Sequence, residues 1–207
     1  MKRPTVREHL RREGEPTTPR QSASLILVRD GERSLEVLLV RRNPAQRFMG
    51  GFWVFPGGAV DAGEDHRAAA VRELAEEAGV TIVEPEALVH YSRWITPELI
   101  EIRFDTRFFV ARAPAGVRPM VDGEECVDVR WTTPRAALDA YAADELALVF
   151  PTLRHLEELS AFATVDALLE HARERSAREI AAVLPRVALG GDEPRVLLPG
   201  EPGYDDA

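Results

Sequence analysis

Three glutamates in the stretch RELAEEAGV have the spacing of side chains that could bind one cation together. Glu73, Glu76 and Glu77 would lie on one face of an α-helix, one turn apart. Like charges at this spacing destabilise a helix by roughly 0.2–0.5 kcal/mol per pair. A divalent cation would replace that repulsion with attraction, and carboxylate oxygens are the ligands that Mg²⁺ prefers. The alternative is a solvated helix face, on which glutamate is common.

The helix that carries these glutamates is predicted to run from Asp65 to Ala78. Asp65 can cap its first turn, and Gly79 stands where a left-handed C-terminal cap belongs. Its apolar side is expected to consist of five residues: Ala68, Val71, Leu74, Ala75 and Ala78.

The residues around this helix favour a ligand site over a bare solvated face. The stretch PGG, residues 56–58, is interpreted as a glycine-rich turn that would let a ligand approach the backbone. Glu64 adds a carboxylate just before the helix, and Arg72 could orient carboxylates through a bidentate contact. A cation bound here would lower the pKa of a bound water and neutralise charge on a phosphoryl group.

Composition limits the classes of function that the chain can have. The 207 residues are 45% apolar and carry a formal net charge of −9, which argues against nucleic-acid binding. A small anionic substrate would need local cations or metal ions. Cys126 is the one cysteine, so no internal disulfide can form. With neither a secretory signal nor a long apolar run in the sequence, we expect a soluble cytoplasmic protein.

The remaining elements predict a mixed α/β or α+β domain. Residues 1–21 are polar and rich in proline and are expected to form a flexible arm. Residues 134–180 have a helical pattern, in which Pro151 can begin one helix and Thr164 can cap another. Strands are predicted in the following stretches: SASLILVRD and LEVLLVRR as a hairpin, WVFP, EALVHYSRWI, IRFDTRFFVARA, CVDVRWTT, RVALGG and PRVLLPG.

The residues from Gly58 to Val80 resemble a complete Nudix box. Gly58, Glu64 and the run Arg72-Glu73-Leu74-x-Glu76-Glu77-x-Gly79-Val80 fill each of its defining positions. The resemblance implies an α/β/α sandwich around a mixed sheet, with a Nudix core over residues 22–145. Residues 146–207 would then be an added helical extension packed on that core. The helical segment 134–180 could cap the substrate cleft or form a homodimer interface. It also implies hydrolysis of a nucleoside diphosphate linked to another group, with Mg²⁺ or Mn²⁺ as cofactor.

The same resemblance implies a role for each residue of the box. Glu73 and Glu77 are the expected main metal ligands, and Glu76 is a ligand or a water-orienting group. The Gly58 carbonyl is a further metal ligand in many members of the family. Arg72 is expected to pair with a carboxylate of the box, and Glu64 to support the helix or the metal ions from a greater distance.

A second source of carboxylates is the stretch DGEECVDV. In many Nudix enzymes a late loop supplies a further glutamate as metal ligand or general base. Glu124 and Glu125 stand at a suitable place for this role, and so does Asp122. The alternative for each of them is a solvated acidic turn.

The stretch before the box, residues 38–58, resembles the signature of coenzyme A diphosphatases, a Nudix subgroup. Nine positions match: Leu38, Leu39, Arg42, Arg47, Gly51, Phe55, Pro56, Gly57 and Gly58. Val40 and Asn43 stand where the signature has a threonine and a small residue. The likeness implies that Phe55 contributes to the substrate site.

Two kinds of side chain in this stretch could contact a substrate. Arg42 and Arg47 could bind phosphates, the 3′-phosphate of CoA among them, or could form ordinary surface salt bridges. Phe48, Met49 and Phe52 could pack a pantetheine arm, an acyl arm or a base, or could be core under a loop. For Trp53, which follows them in the chain, we expect a place in the core.

Residues 92–114 resemble the branch that includes the peroxisomal acyl-CoA diphosphatases. Trp94, Thr96, Pro97 and the run from Arg103 to Thr106 carry that likeness, without a predicted site role. The expected reaction is hydrolysis of CoA or acyl-CoA to 3′,5′-ADP and 4′-phosphopantetheine or its acyl form. The alternatives are ADP-ribose, NADH or a damaged nucleotide as substrate, or a nucleotide-sensing module without turnover.

Overall fold

The structure, a computed structural model, describes residues 9–11, 14–32, 34–82, 84–190 and 194–207. Within these ranges the chain forms ten strands and four α-helices. The strands are β1 Arg20–Asp30, β2 Leu35–Arg42, β3 Trp53–Val54, β4 Gly57–Ala59, β5 Val89–Ile95, β6 Phe104–Arg112, β7 Cys126–Thr132, β8 Ala182–Val183, β9 Arg186–Ala188 and β10 Arg195–Leu197. The helices are α1 His66–Ala78, α2 Pro134–Ala142, α3 Phe150–Leu159 and α4 Val165–Ser176.

Eight of the strands form one mixed sheet, as predicted. Its order is β3-β2-β1-β6-β5-β8, with β4 paired to β1 and β7 paired to β2. The β1–β6 and β5–β8 pairs are parallel and the other pairs are antiparallel. The two remaining strands, β9 and β10, form a separate antiparallel hairpin in the C-terminal tail.

The sheet is covered by helices on both faces, which confirms the α/β/α arrangement. Successive β1 residues point to opposite sides, and both sides are buried because each meets a helix layer. Leu25 packs with Leu74 of α1 in one core, whereas Ile26 belongs to the other core with Leu156 of α3 and Leu168 of α4. The site described below is built from β1, β4, α1 and the start of α3.

Helix α1 begins and ends where the sequence predicts. Asp65 Oδ1 accepts hydrogen bonds from the backbone N–H groups of Arg67 at 2.7 Å and Ala68 at 3.0 Å. Gly79 adopts a φ of 63°, and a Cβ atom there would lie 3.0 Å from the carbonyl oxygen of Met120. The caps of the later helices follow the sequence as well, since Pro151 lies in the first turn of α3 and Thr164 caps α4.

The buried side of α1 differs from the prediction. Ala68, Val71 and Ala75 are only partly buried. The buried residues are Ala69, Ala70, Glu73, Leu74, Glu77 and Ala78. Two of the three glutamates therefore belong to the face that packs on the sheet. Gly58 of β4 leaves room for the Glu73 carboxylate, and the Gly57 N–H donates a hydrogen bond to Glu77.

Gly57 and Gly58 of the stretch PGG belong to strand β4, which begins directly after Pro56, so the predicted glycine-rich turn is wrong for these two residues. Gly57 and Gly58 pair with Ser24 and Ala23 of β1 in antiparallel register. A Cβ atom at Gly57 would lie 2.7 Å from the Cα of Ser24, so only glycine permits this close approach. The short strand holds the glycines against α1.

The N-terminal arm predicted over residues 1–21 lies partly outside the described residues. Where it is described, it hydrogen-bonds to the segment before β6. The backbone N–H of Arg11 donates to the carbonyl of Leu99 at 2.8 Å, and that of Glu101 donates to the carbonyl of His9 at 3.0 Å. The predicted boundaries of the Nudix core and its extension stay predictions. None of the described helices combines the length and hydropathy that a membrane span requires.

Candidate active site

Two glutamates of α1 line a cavity of about 720 Å³ beside β4. Glu73 is 8% exposed and Glu77 is 1% exposed, so both carboxylates are largely shielded from solvent. Glu76 is on the outer side of the helix and is not among the residues that line this cavity. The helix therefore presents a carboxylate pair to the cavity, and the third carboxylate is exposed and bound to Arg72.

Glu77 has little to compensate its negative charge. Its Oε2 accepts a hydrogen bond from the Gly57 N–H at 3.0 Å, and the Arg42 guanidinium is 3.8 Å from its Oε1. Burial raises the pKa of Glu77 from 4.5 to about 7, although the Gly57 N–H and Arg42 act in the opposite direction. A cation bound at the cavity would supply the compensation that this carboxylate lacks.

Glu73 lies directly against Gly58, so the structure brings together two of the predicted metal ligands. A Cβ atom at Gly58 would overlap the Glu73 carboxylate. Burial raises the pKa of Glu73, the Arg72 guanidinium lowers it, and the charges of Glu76 and Glu125 raise it further. The carboxylate is thus held in a space that exists because residue 58 has no side chain.

Arg72 binds the carboxylates of the segment together. Its guanidinium donates to both oxygens of Glu64 at 3.1 Å, to Glu73 Oε1 at 2.8 Å and to Glu76 Oε2 at 2.9 Å. It also donates to the carbonyl of Ala59 at 2.9 Å. These contacts match the pairing implied by the sequence, and they tie α1 to the segment that precedes it.

The late acidic loop brings one of its two glutamates to the cavity. Asp122 accepts hydrogen bonds from the backbone N–H groups of Glu125 at 3.0 Å and Cys126 at 3.1 Å, which fixes the turn. Glu125 lines the cavity, whereas Glu124 does not. The carbonyl of Glu124 instead accepts a hydrogen bond from the Asn43 side chain at 2.8 Å.

The two arginines of the CoA-type stretch lie in different surroundings. Arg42 lines the cavity, and its Nε donates to the carbonyl of Phe48 at 3.3 Å. Arg47 has a 79% exposed side chain, pairs with Glu101 at 2.7 Å and is not among the cavity residues. In this arrangement Arg47 forms a surface salt bridge, which is one of the two alternatives that the sequence left open for it.

The glutamate helix, its glycine strand and the matching sequence spacing are the features of one family. The family model for the NUDIX domain matches residues 18–153. The chain belongs to the Nudix family. Nudix hydrolases generally use divalent metal ions.

Curated relatives resemble this Nudix protein over part of their length. The chain is 33% identical over 122 residues to the acyl-coenzyme A diphosphatase of Homo sapiens, which is 57% of this chain and 32% of that protein. It is 29% identical over 124 residues to the acyl-coenzyme A diphosphatase of Xenopus laevis, 58% of this chain and 33% of that protein. The matched part therefore spans about a third of the length of these relatives.

Solved Nudix structures confirm the fold. The Nudix hydrolase from Alicyclobacillus acidocaldarius matches with a TM-score of 0.67 and 28% identity, covering 74% of this chain and 96% of that chain. The Nudix domain of NrtR from Shewanella oneidensis, in complex with ADP-ribose, matches with a TM-score of 0.55 and 21% identity over 77% of this chain and 89% of that one.

The aromatic residues before the Nudix box separate into cavity wall and core. Phe48, Met49 and Phe52 line the cavity. Phe55 lines it too, but is only 2% exposed and meets the ring of His155 edge-on, so it forms part of the wall. Trp53 does not line the cavity, is 4% exposed and belongs to the core on the α3 side, as expected.

Several cavity residues have no predicted site role in the sequence. The strand residues are Arg20 of β1, Trp94 of β5 and Phe104 and Phe108 of β6, and the C-terminal ones are Phe150, Leu153 and Val196. Phe104 and Phe108 share one face of β6, and this period-two pattern was the available signal. Arg20 could not be found in this way, because it enters the site through the parallel pairing of Arg20 with Phe104.

The donor set of the Nudix box fits a hard divalent cation in chemistry and placement. Glu73, Glu77 and the Gly58 carbonyl supply oxygen donors beside the cavity. The Arg42 guanidinium, 3.8 Å from Oε1, is the cation beside the buried Glu77 carboxylate. As the side chains stand, no three His, Cys, Asp or Glu residues in the described ranges form a ready metal cluster. Arg72 holds oxygens of Glu73 and Glu76, which explains this.

Proposed function

We propose that this Nudix protein hydrolyses the pyrophosphate of CoA or acyl-CoA to 3′,5′-ADP and 4′-phosphopantetheine or its acyl form. The observation that carries the proposal is the two-part character of the cavity. Charged side chains line part of it, namely Arg20, Arg42, Glu73, Glu77 and Glu125, and aromatic and aliphatic side chains line much of the remainder. Its volume of about 720 Å³ is within the usual range for sites of small-molecule ligands.

The apolar part is continuous from the charged part to α3. Phe48, whose carbonyl accepts from Arg42, has its ring 5.8 Å from that of Phe104. Trp94 of β5 pairs through its backbone with Thr106, which is on β6 like Phe104. The ring of Trp94 is 6.2 Å from the ring of Phe150. A pantetheine arm with an acyl chain has apolar surface to bury along such a wall, whereas a nucleoside triphosphate has none beyond its base. The likeness to acyl-CoA diphosphatases supports the same substrate class.

In the proposed hydrolysis, different residues bind the metal ions, orient the metal ligands and accept the proton. Glu73, Glu76, Glu77 and the Gly58 carbonyl would hold Mg²⁺ or Mn²⁺, whose charge neutralises the diphosphate and acidifies water. Arg72 orients Glu73 and Glu76 through the contacts described above. Glu125 accepts a proton from the attacking water, whose oxygen forms a bond to one phosphorus as the P–O bond of the anhydride breaks.

Two arginines in the cavity would bind the anionic groups of the substrate. Arg42 lies next to Glu77 and suits a diphosphate oxygen. Arg20 lines the cavity at the start of β1 and has no ion pair to another residue in the part of the chain that the structure describes. A free guanidinium at this place suits the 3′-phosphate that distinguishes CoA from other pyrophosphates.

A substrate panel tests the proposal. The protein is assayed with Mg²⁺ and with Mn²⁺ on CoA, acetyl-CoA, octanoyl-CoA, ADP-ribose, NADH and 8-oxo-dGTP, and the products are separated by chromatography. We expect CoA species to have the highest kcat/KM and to release 3′,5′-ADP, and Glu76→Gln to lose turnover while it stays folded. CoA species as the poorest substrates, or binding without hydrolysis, would overturn the proposal.

A further inference from the structure

We infer that Trp94 sets the longest acyl chain that the cavity accepts. The inference rests on the proposed function, since it concerns the apolar part of the same cavity. Trp94 is on β5, is 8% exposed and lines the main cavity. It also lines a second cavity of about 500 Å³. Trp94 therefore borders both spaces, and its ring is close to Phe150, which lines the main cavity, and to His155, which lines the second.

The surroundings of Trp94 hold this ring in place. Its backbone pairs with Thr106 of β6 on one side and with Val183 of β8 on the other. Its ring is 6.2 Å from the ring of Phe150, at an interplanar angle of 75°, and 5.6 Å from that of His155. A side chain restrained on both sides forms a fixed end to a channel, and not a wall that moves aside.

The second cavity is a space that an extended chain could enter. Its lining has an apolar side from β8 and the tail, with Val183, Leu198 and Pro199, and a charged side with Arg154, Glu157, Glu158 and Arg175. A longer acyl chain would have to lie along the apolar side. Replacement of the indole by a smaller apolar group would remove part of the wall between the two cavities. Because Trp94 Nε1 is buried without a hydrogen-bond partner among the described residues, this replacement removes no hydrogen bond.

The expected signature is a break in the dependence of rate on chain length. Each methylene buried along the apolar part should raise kcat/KM by up to about fourfold. The rise should stop when the chain reaches the indole, because a longer chain must either bend or leave its end in solvent. In Trp94→Leu the break should move to longer chains.

The test is an acyl-CoA series from acetyl to palmitoyl, measured with wild type, Trp94→Leu and Trp94→Ala. We expect the ratio of kcat/KM for palmitoyl-CoA over that for butyryl-CoA to rise about tenfold or more in the Trp94 variants. Trp131→Leu is the matched control, since Trp131 also has a buried indole N–H without a partner among the described residues but lines neither cavity. Its chain-length profile should equal that of wild type.

The outcomes separate this inference from the proposed function. Turnover of CoA species with the same profile in wild type and Trp94→Leu overturns the inference alone. No turnover of any CoA species by wild type overturns the proposed function and the inference with it. If both Trp94 variants fail to fold, Leu153→Phe fills the α3 side of the main cavity and should move the break to shorter chains, and an unchanged break there also overturns the inference.

Discussion

The carboxylate of Glu73 occupies the place where a side chain at Gly58 would begin. The neighbouring Gly57 has a different role, since a Cβ atom there would meet the backbone of β1, with the Ala23 carbonyl oxygen at 2.5 Å. The two adjacent glycines therefore have different structural roles. Gly57 lets strand β4 approach β1, and Gly58 leaves room for the Glu73 carboxylate.

Alanine at these two glycines should separate activity from stability. Gly58→Ala displaces a flexible side chain, so we expect kcat to fall about 10- to 100-fold while the melting temperature changes little. Gly57→Ala presses on backbone that cannot move aside, so the free energy of unfolding should fall by about 1–3 kcal/mol. Urea unfolding and steady-state kinetics measure both quantities. Gly190→Ala, with nothing within 4 Å of the added Cβ atom, is the control. Equal effects of Gly57→Ala and Gly58→Ala would contradict this division.

The two glutamates of the late loop should differ in their effect on the rate. Glu125 lines the cavity and its charge acts on Glu73, whereas Glu124 does not line the cavity. Glu125→Gln should therefore lower kcat by about 10²-fold with little change in KM, and Glu124→Gln should leave both near the wild-type values. A larger loss in Glu124→Gln would move the role of base to that residue.

Divalent cations should stabilise the folded protein through the box glutamates. A cation at 100 times its Kd adds about 2.7 kcal/mol to the free energy of unfolding. We expect Mg²⁺ to raise the melting temperature of wild type and of Glu124→Gln, and to have a much smaller effect on Glu73→Gln and Glu77→Gln. Differential scanning fluorimetry with and without EDTA measures this. An equal Mg²⁺ shift in Glu77→Gln would rule out that carboxylate as a ligand.

Arg20 and Arg47 should respond differently to the 3′-phosphate of the substrate. Arg20 has no ion pair to another described residue, whereas the exposed Arg47 is paired with Glu101. Arg20→Ala should raise KM for CoA about tenfold and have a smaller effect with dephospho-CoA. Arg47→Ala should change KM less than about threefold, since exposed ion pairs contribute little. The reverse pattern would return the phosphate role to Arg47.

Acid should destabilise the protein in part through His155. This side chain is 1% exposed, and burial lowers its pKa from 6.5 to about 3. Below pH 6.5 the unfolded chain binds a proton that the folded protein excludes, so stability is present above that pH and is lost as the pH falls toward 3.

Between pH 7 and pH 5 this histidine should cost wild type about 2 kcal/mol of unfolding free energy. His155→Gln should lose about that much less over the same interval, as measured by urea unfolding at both pH values. His171→Gln, at an exposed position of α4, should follow wild type. Identical pH profiles for wild type and His155→Gln would show that His155 does not carry this dependence.

The parts of the fold that depend on local sequence were predictable. Asp65 and Gly79 mark the ends of α1 through capping chemistry that acts within one turn. The spacing of Glu73, Glu76 and Glu77 is likewise local, but only Glu73 and Glu77 line the cavity, and Glu76 is exposed. The metal-binding roles of these glutamates stay predictions.

The parts that depend on distant pairing were not predictable. Glu73 and Glu77 are buried because β4 lies against β1. The sequence PGG is typical of a turn and does not indicate this strand pairing. Arg20 reaches the cavity through β6, more than 80 positions away in the chain. The sequence left a phosphate contact and a surface salt bridge open for Arg47, and its pairing with Glu101 depends on the loop before β6.

The family match ends at residue 153, within α3, yet Val196 of the tail helps to form the cavity. The proposed catalytic groups thus lie within the family match, whereas part of the proposed substrate-binding surface lies beyond it. Insertions or exchanges near the carboxyl terminus could then change which substrate binds without altering the residues of α1.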